Sequence, residues 1–128
     1  MDKQGLSMNW LYVFIGGGLG SVLRYAIGLT TPMFIKTSFP LATFISNTLA
    51  CLLLAIIVYG VQKEPKADWL NHLLIIGFCG GFSTFSTFSN ENIQLIQQGN
   101  WQMSMLNILI SLMVGLGIIY AVASAKTN

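Results

Sequence analysis

The chain has 128 residues and a formal net charge of +2, with 54% hydrophobic and 8% charged residues. Globular domains carry about 25% charged residues, so this one lacks the charge to cover a water-facing surface. The scattered basic residues argue against a nucleic-acid partner, and Cys51 and Cys79 form no CxxC or Cys/His cluster for a metal.

One integral membrane domain over residues 1–128 is the expectation. Lys3 ahead of an apolar run looks like a signal peptide, but the run is too long and too glycine-rich, so it is expected to stay in the mature protein. Apolar segments fall at about 8–30, 40–61, 71–97 and 102–124. Each exceeds the ~20 residues needed to cross ~30 Å of hydrocarbon. The first is expected to stop before Pro32, and the second to start with Pro40 in its first helical position, where a missing N–H costs nothing. Trp10, Tyr12, Tyr59, Trp69, Trp101 and Tyr120 fall at segment limits, as amphipathic rings do at the headgroup level. The most polar linker is Gln62 to Asp68, and His72 just beyond it reads as interfacial. Both cysteines read as small core residues. Lys3, Lys63, Lys66 and Lys126 share one side against Lys36 on the other, which favours cytoplasmic termini by a small margin.

Polar positions inside these segments carry the functional reading. Segment one holds Gly16, Gly17, Gly18 and Gly20, then Ser21 and Arg24. The pairs Gly16/Gly20 and Gly17/Ser21 make a face for close helix packing. Arg24 reads equally as a structural anchor or as part of an electropositive vestibule. Segment two places Thr43, Ser46, Asn47 and Ala50 on one helical face, and segment four does the same with Ser104, Asn107, Ser111 and Gly115. Two such faces favour an aqueous lining over interhelical glue.

Segment three is the unusual one. Gly77, Gly80 and Gly81 lead into Phe82-Ser83-Thr84, Phe85-Ser86-Thr87 and Phe88-Ser89-Asn90, a repeat by threes. Glycines weaken a helix, and non-helical backbone at membrane depth must be buried in protein or face a water-filled cavity. Residues three apart are offset by about 60° on a helix, so the three phenylalanines form a drifting stripe flanked by hydroxyls. Ring edges are positive, and hydroxyls and amides donate hydrogen bonds. No carboxylate sits deep in a span; Glu91, the nearest, lies towards the far end of segment three. This chemistry favours a small anion stripped of water, without deciding it.

Here the chain resembles the Fluc family of fluoride ion channels. Gly16 to Tyr25 is similar to that family's GGxxGxxxRY element, Phe39 to Asn47 to its FPxGTxxxN element, and Gly80 to Phe88 to its GGxTTFSTF signature. The match covers nearly the whole chain, and three motifs in order at matching spans make it specific. The resemblance implies an all-α membrane protein of four spans, the third broken at Gly80 to Ser83, assembled as an antiparallel, dual-topology homodimer. It implies two fluoride pores per dimer, in which Phe85 and Phe88 point ring edges at the ion while Phe82 packs. Asn47 would donate to the ion, and Thr43, Ser86, Thr87 and Glu91 would line a polar track, with Ser111 or Asn107 joining from segment four. A structural Na+ at the dimer centre would be held by the backbone carbonyls of Gly80 and Ser83. The implied role is passive fluoride export across the plasma (inner) membrane of a prokaryote, with no enzymatic step. Ala42 stands where the family usually has glycine, Ser83 where it commonly has threonine, and Asn107 where it often has an aromatic.

The rival class is a proton-coupled small multidrug-type transporter, also short and four-spanning. It needs a membrane-embedded carboxylate, and segment one has none, which leaves Glu91 as the sole candidate. A non-transporting assembly subunit is the third class, and it would pass no ion at all.

Overall fold

Lipid tails are as apolar as leucine, so helices in a bilayer are held by close packing and satisfied polar groups rather than by the hydrophobic effect. A computed structural model, which describes residues 3–60 and 68–127, is built on that logic. Helix α1 is Lys3–Phe34, and α2 is Leu41–Gly60, wound as a π-helix over Ile56–Gly60. Helix α3 covers residues 68–82 and is π-wound over Asn71–Cys79. Helix α4 is Phe85–Gln97, and α5 is Trp101–Thr127. Four stretches are long and apolar enough to cross a membrane: Met8–Phe34, Leu41–Gly60, Asp68–Gln97 and Trp101–Lys126. The protein is all-α with four spans, and α3 and α4 share the third.

The interior inverts the soluble pattern. Its buried apolar residues are mostly small (Ala50, Ala55 and Cys79, with Phe82 and Leu95), and beside them lie buried Thr43, Ser46, Asn92, Ser104 and Asn107. Large apolar side chains such as Phe14, Val22, Met113 and Leu116 point outward. These five buried polar side chains are all hydrogen-bonded.

Helix α1 packs chiefly on α3, and α5 packs on α2 and α4. Glycine makes the first contact. A Cβ on Gly16 would run into the Leu73 carbonyl, one on Gly20 into the Phe78 carbonyl, and one on Gly81 into the Gly17 carbonyl. The Gly16/Gly20 face is thus matched by Gly77 and Gly81 on α3, and two backbones touch where side chains would hold them apart.

Two limits differ from expectation. Helix α1 does not stop before Pro32 but runs through it to Phe34. The proline falls in the last turn, where the one amide lost is that facing the Gly28 carbonyl. Just before the ring, Thr31 Oγ1 and Thr30 Oγ1 bond back to the carbonyls of Ile27 and Ala26 at 2.7 and 2.9 Å. Pro40 is the N-cap of α2 rather than its first helical residue, and its carbonyl accepts from Phe44 N at 3.0 Å.

Between α4 and α5 the chain reverses at Gly99, whose φ of 79° suits glycine. Gly99 N bonds Ile96 O at 3.0 Å and Asn100 N bonds Leu95 O at 2.8 Å, which caps the end of α4 and makes the last two spans antiparallel. The charge-asymmetry argument rests on Lys63 and Lys66 in the polar linker, and both lie outside the described residues, as does the side chain of Lys3.

Candidate functional site: the interrupted third span

The third span breaks at Ser83 and Thr84, both extended, with φ/ψ of −80°/157° and −151°/118°. The break therefore sits at the far end of the expected 80–83 range and reaches one residue past it. Gly80 and Gly81 are still helical. Their lack of side chains serves packing in one case, since Gly81 lies against Gly17, and an open surface in the other, since nothing lies near Gly80.

Three devices hold the break. Thr84 is the N-cap of α4, and its Oγ1 accepts from Thr87 N at 3.2 Å. Asn47, reaching across from α2, clamps the extended residue from both sides: its Oδ1 accepts from Thr84 N at 2.7 Å and its Nδ2 donates to Thr84 O at 3.3 Å. Arg24 Nε donates to Gly81 O at 3.1 Å, and Ser21 Oγ reaches the same carbonyl at 3.4 Å. A cation and a hydroxyl thus meet the negative end of α3. Arg24 anchors the break by this bond, and it also lines a groove.

Splitting one span into two half-helices leaves two kinds of backbone group at membrane depth. The start of α4 offers amides and the positive end of a dipole. The end of α3 offers carbonyls. In an unbroken helix Thr84 N would close on Gly80 O and Thr87 N on Ser83 O, but these amides go to Asn47 Oδ1 and Thr84 Oγ1. The two carbonyls implied for sodium are thus left without their helical amides, and carbonyl oxygen is what a hard cation takes. These residues fit such an ion.

Two concavities flank α4. The narrow groove, about 260 Å³, is lined by Asn47, Thr84, Phe85, Phe88 and Ser111, with Cys51 in its wall. The Phe85 and Phe88 ring centroids are 6.1 Å apart and tilted by 36°. The wide groove, about 560 Å³, is lined by Arg24, Lys36, Thr43, Thr87 and Glu91 among others. There Thr43 Oγ1 donates to Glu91 Oε1 at 2.8 Å, while the buried Glu91 Oε2 has no hydrogen-bond partner among the described residues. The predicted ion-path residues are therefore sorted by face, with aromatic rings, amide and Ser111 on one side of α4 and the hydroxyl–carboxyl set on the other. Ser86 is exposed on the protomer, its Oγ 3.4 Å from Thr84 Oγ1.

The polar faces of spans two and four are not both aqueous linings. That of span two does border the grooves: Thr43 and Ser46 line the wide one, Ser46 also donating to its own Ala42 carbonyl at 2.9 Å, and Asn47 lines the narrow one. Asn107 and Ser104, each 1% exposed, both donate to Asn92 Oδ1 at 3.1 Å. Asn107 is thus interhelical glue between α4 and α5 and does not line the groove. Ser111, one turn on, does line it and donates to Asn107 Oδ1 at 3.3 Å. Phe82 is buried against Phe78, with ring centroids 5.6 Å apart. Cys79 is buried, but Cys51 is only partly so and belongs to the narrow groove. His72 lies half-buried near the start of α3, its Nδ1 2.8 Å from the Asp68 carbonyl.

Asn92, Ser21 and Gly81 were not singled out for these roles from sequence. For Asn92 the signal was present, since it lies one helical turn after Phe88 on the face turned towards span four.

Comparison with known proteins gives the family. Residues 11–123 match the family model described as CrcB-like protein, Camphor Resistance (CrcB). A Flavobacterium psychrophilum protein named fluoride-specific ion channel FluC is 44% identical over 106 residues, covering 82% of this chain and 86% of its own. Proteins of the same name from Azobacteroides pseudotrichonymphae and Shewanella denitrificans are 46% and 35% identical, covering 80% and 88% of this chain and 83% and 90% of theirs. Since the match runs through all four spans and across the interrupted helix, the chain belongs to the CrcB-like family.

Proposed function

We propose that this chain is a fluoride-selective channel that lets the ion leave the cytoplasm by passive electrodiffusion. The observation that carries this reading is the narrow groove, where Phe85, Phe88, Asn47 and Ser111 converge beside the break in the third span. Fluoride holds its water tightly, so a selective path must replace that water with donors at close range. Ring edges, an amide and the start of a half-helix supply partial positive charge without a full cation, which would bind the ion and keep it. A membrane potential of 100 mV, negative inside, drives a monovalent anion outward by about 2.3 kcal/mol, so no coupled ion is required.

The relatives' name, fluoride-specific ion channel, supports the substrate. The protein is a multi-pass membrane protein of a prokaryotic type, and the inner membrane is its proposed site. Phe85 is 80% exposed on the protomer, and Gly80 beside the break is exposed too. Extended backbone cannot face lipid, so the break calls for a cover, and a second copy in antiparallel orientation is the proposed one. Cross-linking that traps monomers alone in native membranes would remove the dimer from the account.

The Gly80 and Ser83 carbonyls would hold a structural sodium ion at the centre of that dimer. Ligand that binds only the assembled state raises its stability. Thermal stability of the purified dimer is therefore expected to rise with Na+ and not with a large organic cation at equal ionic strength. Equal stability in both counts against the ion.

The direct test is efflux from liposomes containing this protein alone. Fluoride is expected to leave down its gradient and to be preferred over chloride by about a hundredfold or more, roughly 2.8 kcal/mol of discrimination. Equal leakage of both halides, or uptake of a lipophilic cation driven by protons, would replace this reading with another.

A further inference from the structure

Behind the narrow groove lies a buried polar cluster that the ion path does not use. Asn92, 5% exposed, donates through Nδ2 to the Phe88 carbonyl at 2.8 Å, and its Oδ1 takes the two donors Ser104 Oγ and Asn107 Nδ2. Asn107 Oδ1 in turn accepts from Ser111 Oγ. The donation runs one way, from Ser111 through Asn107 and Asn92 to the carbonyl of Phe88. That carbonyl sets the direction, because turning the Asn92 amide over would put two acceptors face to face.

The two ends of this chain of bonds, Phe88 on α4 and Ser111 on α5, both line the same groove. We infer that Asn92 is a positioning residue: it ties the backbone turn carrying the Phe88 ring to span four and, through Asn107, directs the Ser111 hydroxyl. It touches no ion. The cluster fixes the spacing between ring edge and hydroxyl, on which close fitting of a small dehydrated anion depends. Without it α4 is free to shift along α5, and a wider groove discriminates less between halides of different size. Buried polar groups in such a network are costly when left half-satisfied, which explains why all three members are paired. This inference rests on the channel reading above.

The experiment separates positioning from mere adhesion. The combined variant Asn92→Leu/Ser104→Ala/Asn107→Leu removes the three buried polar side chains together, and the half-buried Ser111 hydroxyl that loses its acceptor still lines the groove. Replacing all partners by apolar groups is close to neutral for stability. In liposomes the assembled variant is expected to show a fluoride-to-chloride flux ratio reduced about fivefold or more from wild type, since small barrier changes read out steeply in rate. A wild-type ratio in the assembled variant overturns the inference and leaves the cluster as glue. Should the triple variant fail to assemble, Asn107→Leu decides, because it cuts the link from Asn92 to Ser111 while Ser104 still donates to Asn92 Oδ1. A reduced ratio supports positioning, and an unchanged one refutes it. Wild-type vesicles that pass no fluoride overturn the channel reading itself, and this inference with it.

Discussion

Replacing Phe85 or Phe88 by isoleucine is expected to cut fluoride flux in liposomes by at least about tenfold, the effect of raising a barrier by about 1.4 kcal/mol. Isoleucine keeps bulk and apolarity but has no ring edge, so the substitution removes the positive rim and little else. The two positions differ in what else they risk. Phe85 is 80% exposed on the protomer, so its loss costs no packing within the chain. Phe88 is half-buried and joined through its carbonyl to Asn92, so Phe88→Ile keeps that bond while changing the ring. Both variants are expected to elute as the wild type does on size exclusion. Normal fluoride efflux from both would mean that the rings do not meet the ion, and the path would have to be sought in the wide groove, along Thr43, Thr87 and Glu91.

Gly81→Ala, like Gly16→Ala and Gly20→Ala on the facing helix, is expected to be among the most damaging single methyl additions. Its Cβ would strike the Gly17 carbonyl and come within 3.0 Å of Gly17 C and Cα, all of them backbone atoms that no rotamer change can move aside. Overpacking of this kind costs about 1–3 kcal/mol, and more where nothing yields. The carbonyl of the same residue takes Arg24 and Ser21, so any shift of α3 away from α1 also stretches the bonds that hold the break. The control is Gly18→Ala, where a Cβ meets nothing within 4 Å. Alanine in an exposed helix position is favoured over glycine by about 1 kcal/mol, so this control is expected to be neutral or slightly stabilising. Thermal unfolding in detergent compares the two. If Gly81→Ala melts with the wild type, the backbone contact between α1 and α3 is not what holds these helices.

The opposite fates of these two glycines show how far sequence can be pushed. Both stand in glycine-rich runs, and the small-residue spacing of Gly16 and Gly20 correctly pointed to a packing face. Which face of α3 would meet it, and that Gly81 rather than Gly80 makes the contact, depends on the rotation of one helix against another. Likewise Ser104, Asn107 and Ser111 fall on one stripe of span four, and spacing alone treats them alike. In the fold, Ser111 borders the groove while Ser104 and Asn107 lie behind it on Asn92.

Four spans, their short connections and an irregular, hydroxyl-rich third span were legible because hydrophobicity, glycine and turn residues act locally, through groups adjacent along the chain. Pro32 misled for a related reason: the local cost of proline is real, but in the last turn of the helix it removes only one backbone bond and the helix carries it. The site of the break was decided by tertiary contacts. Asn47 from span two and Arg24 from span one supply the partners that let Ser83 and Thr84 leave the helix. Burying a backbone amide or carbonyl in hydrocarbon without a partner costs several kcal/mol. A break therefore forms only where the folded chain brings those partners, and no reading along a single segment locates them.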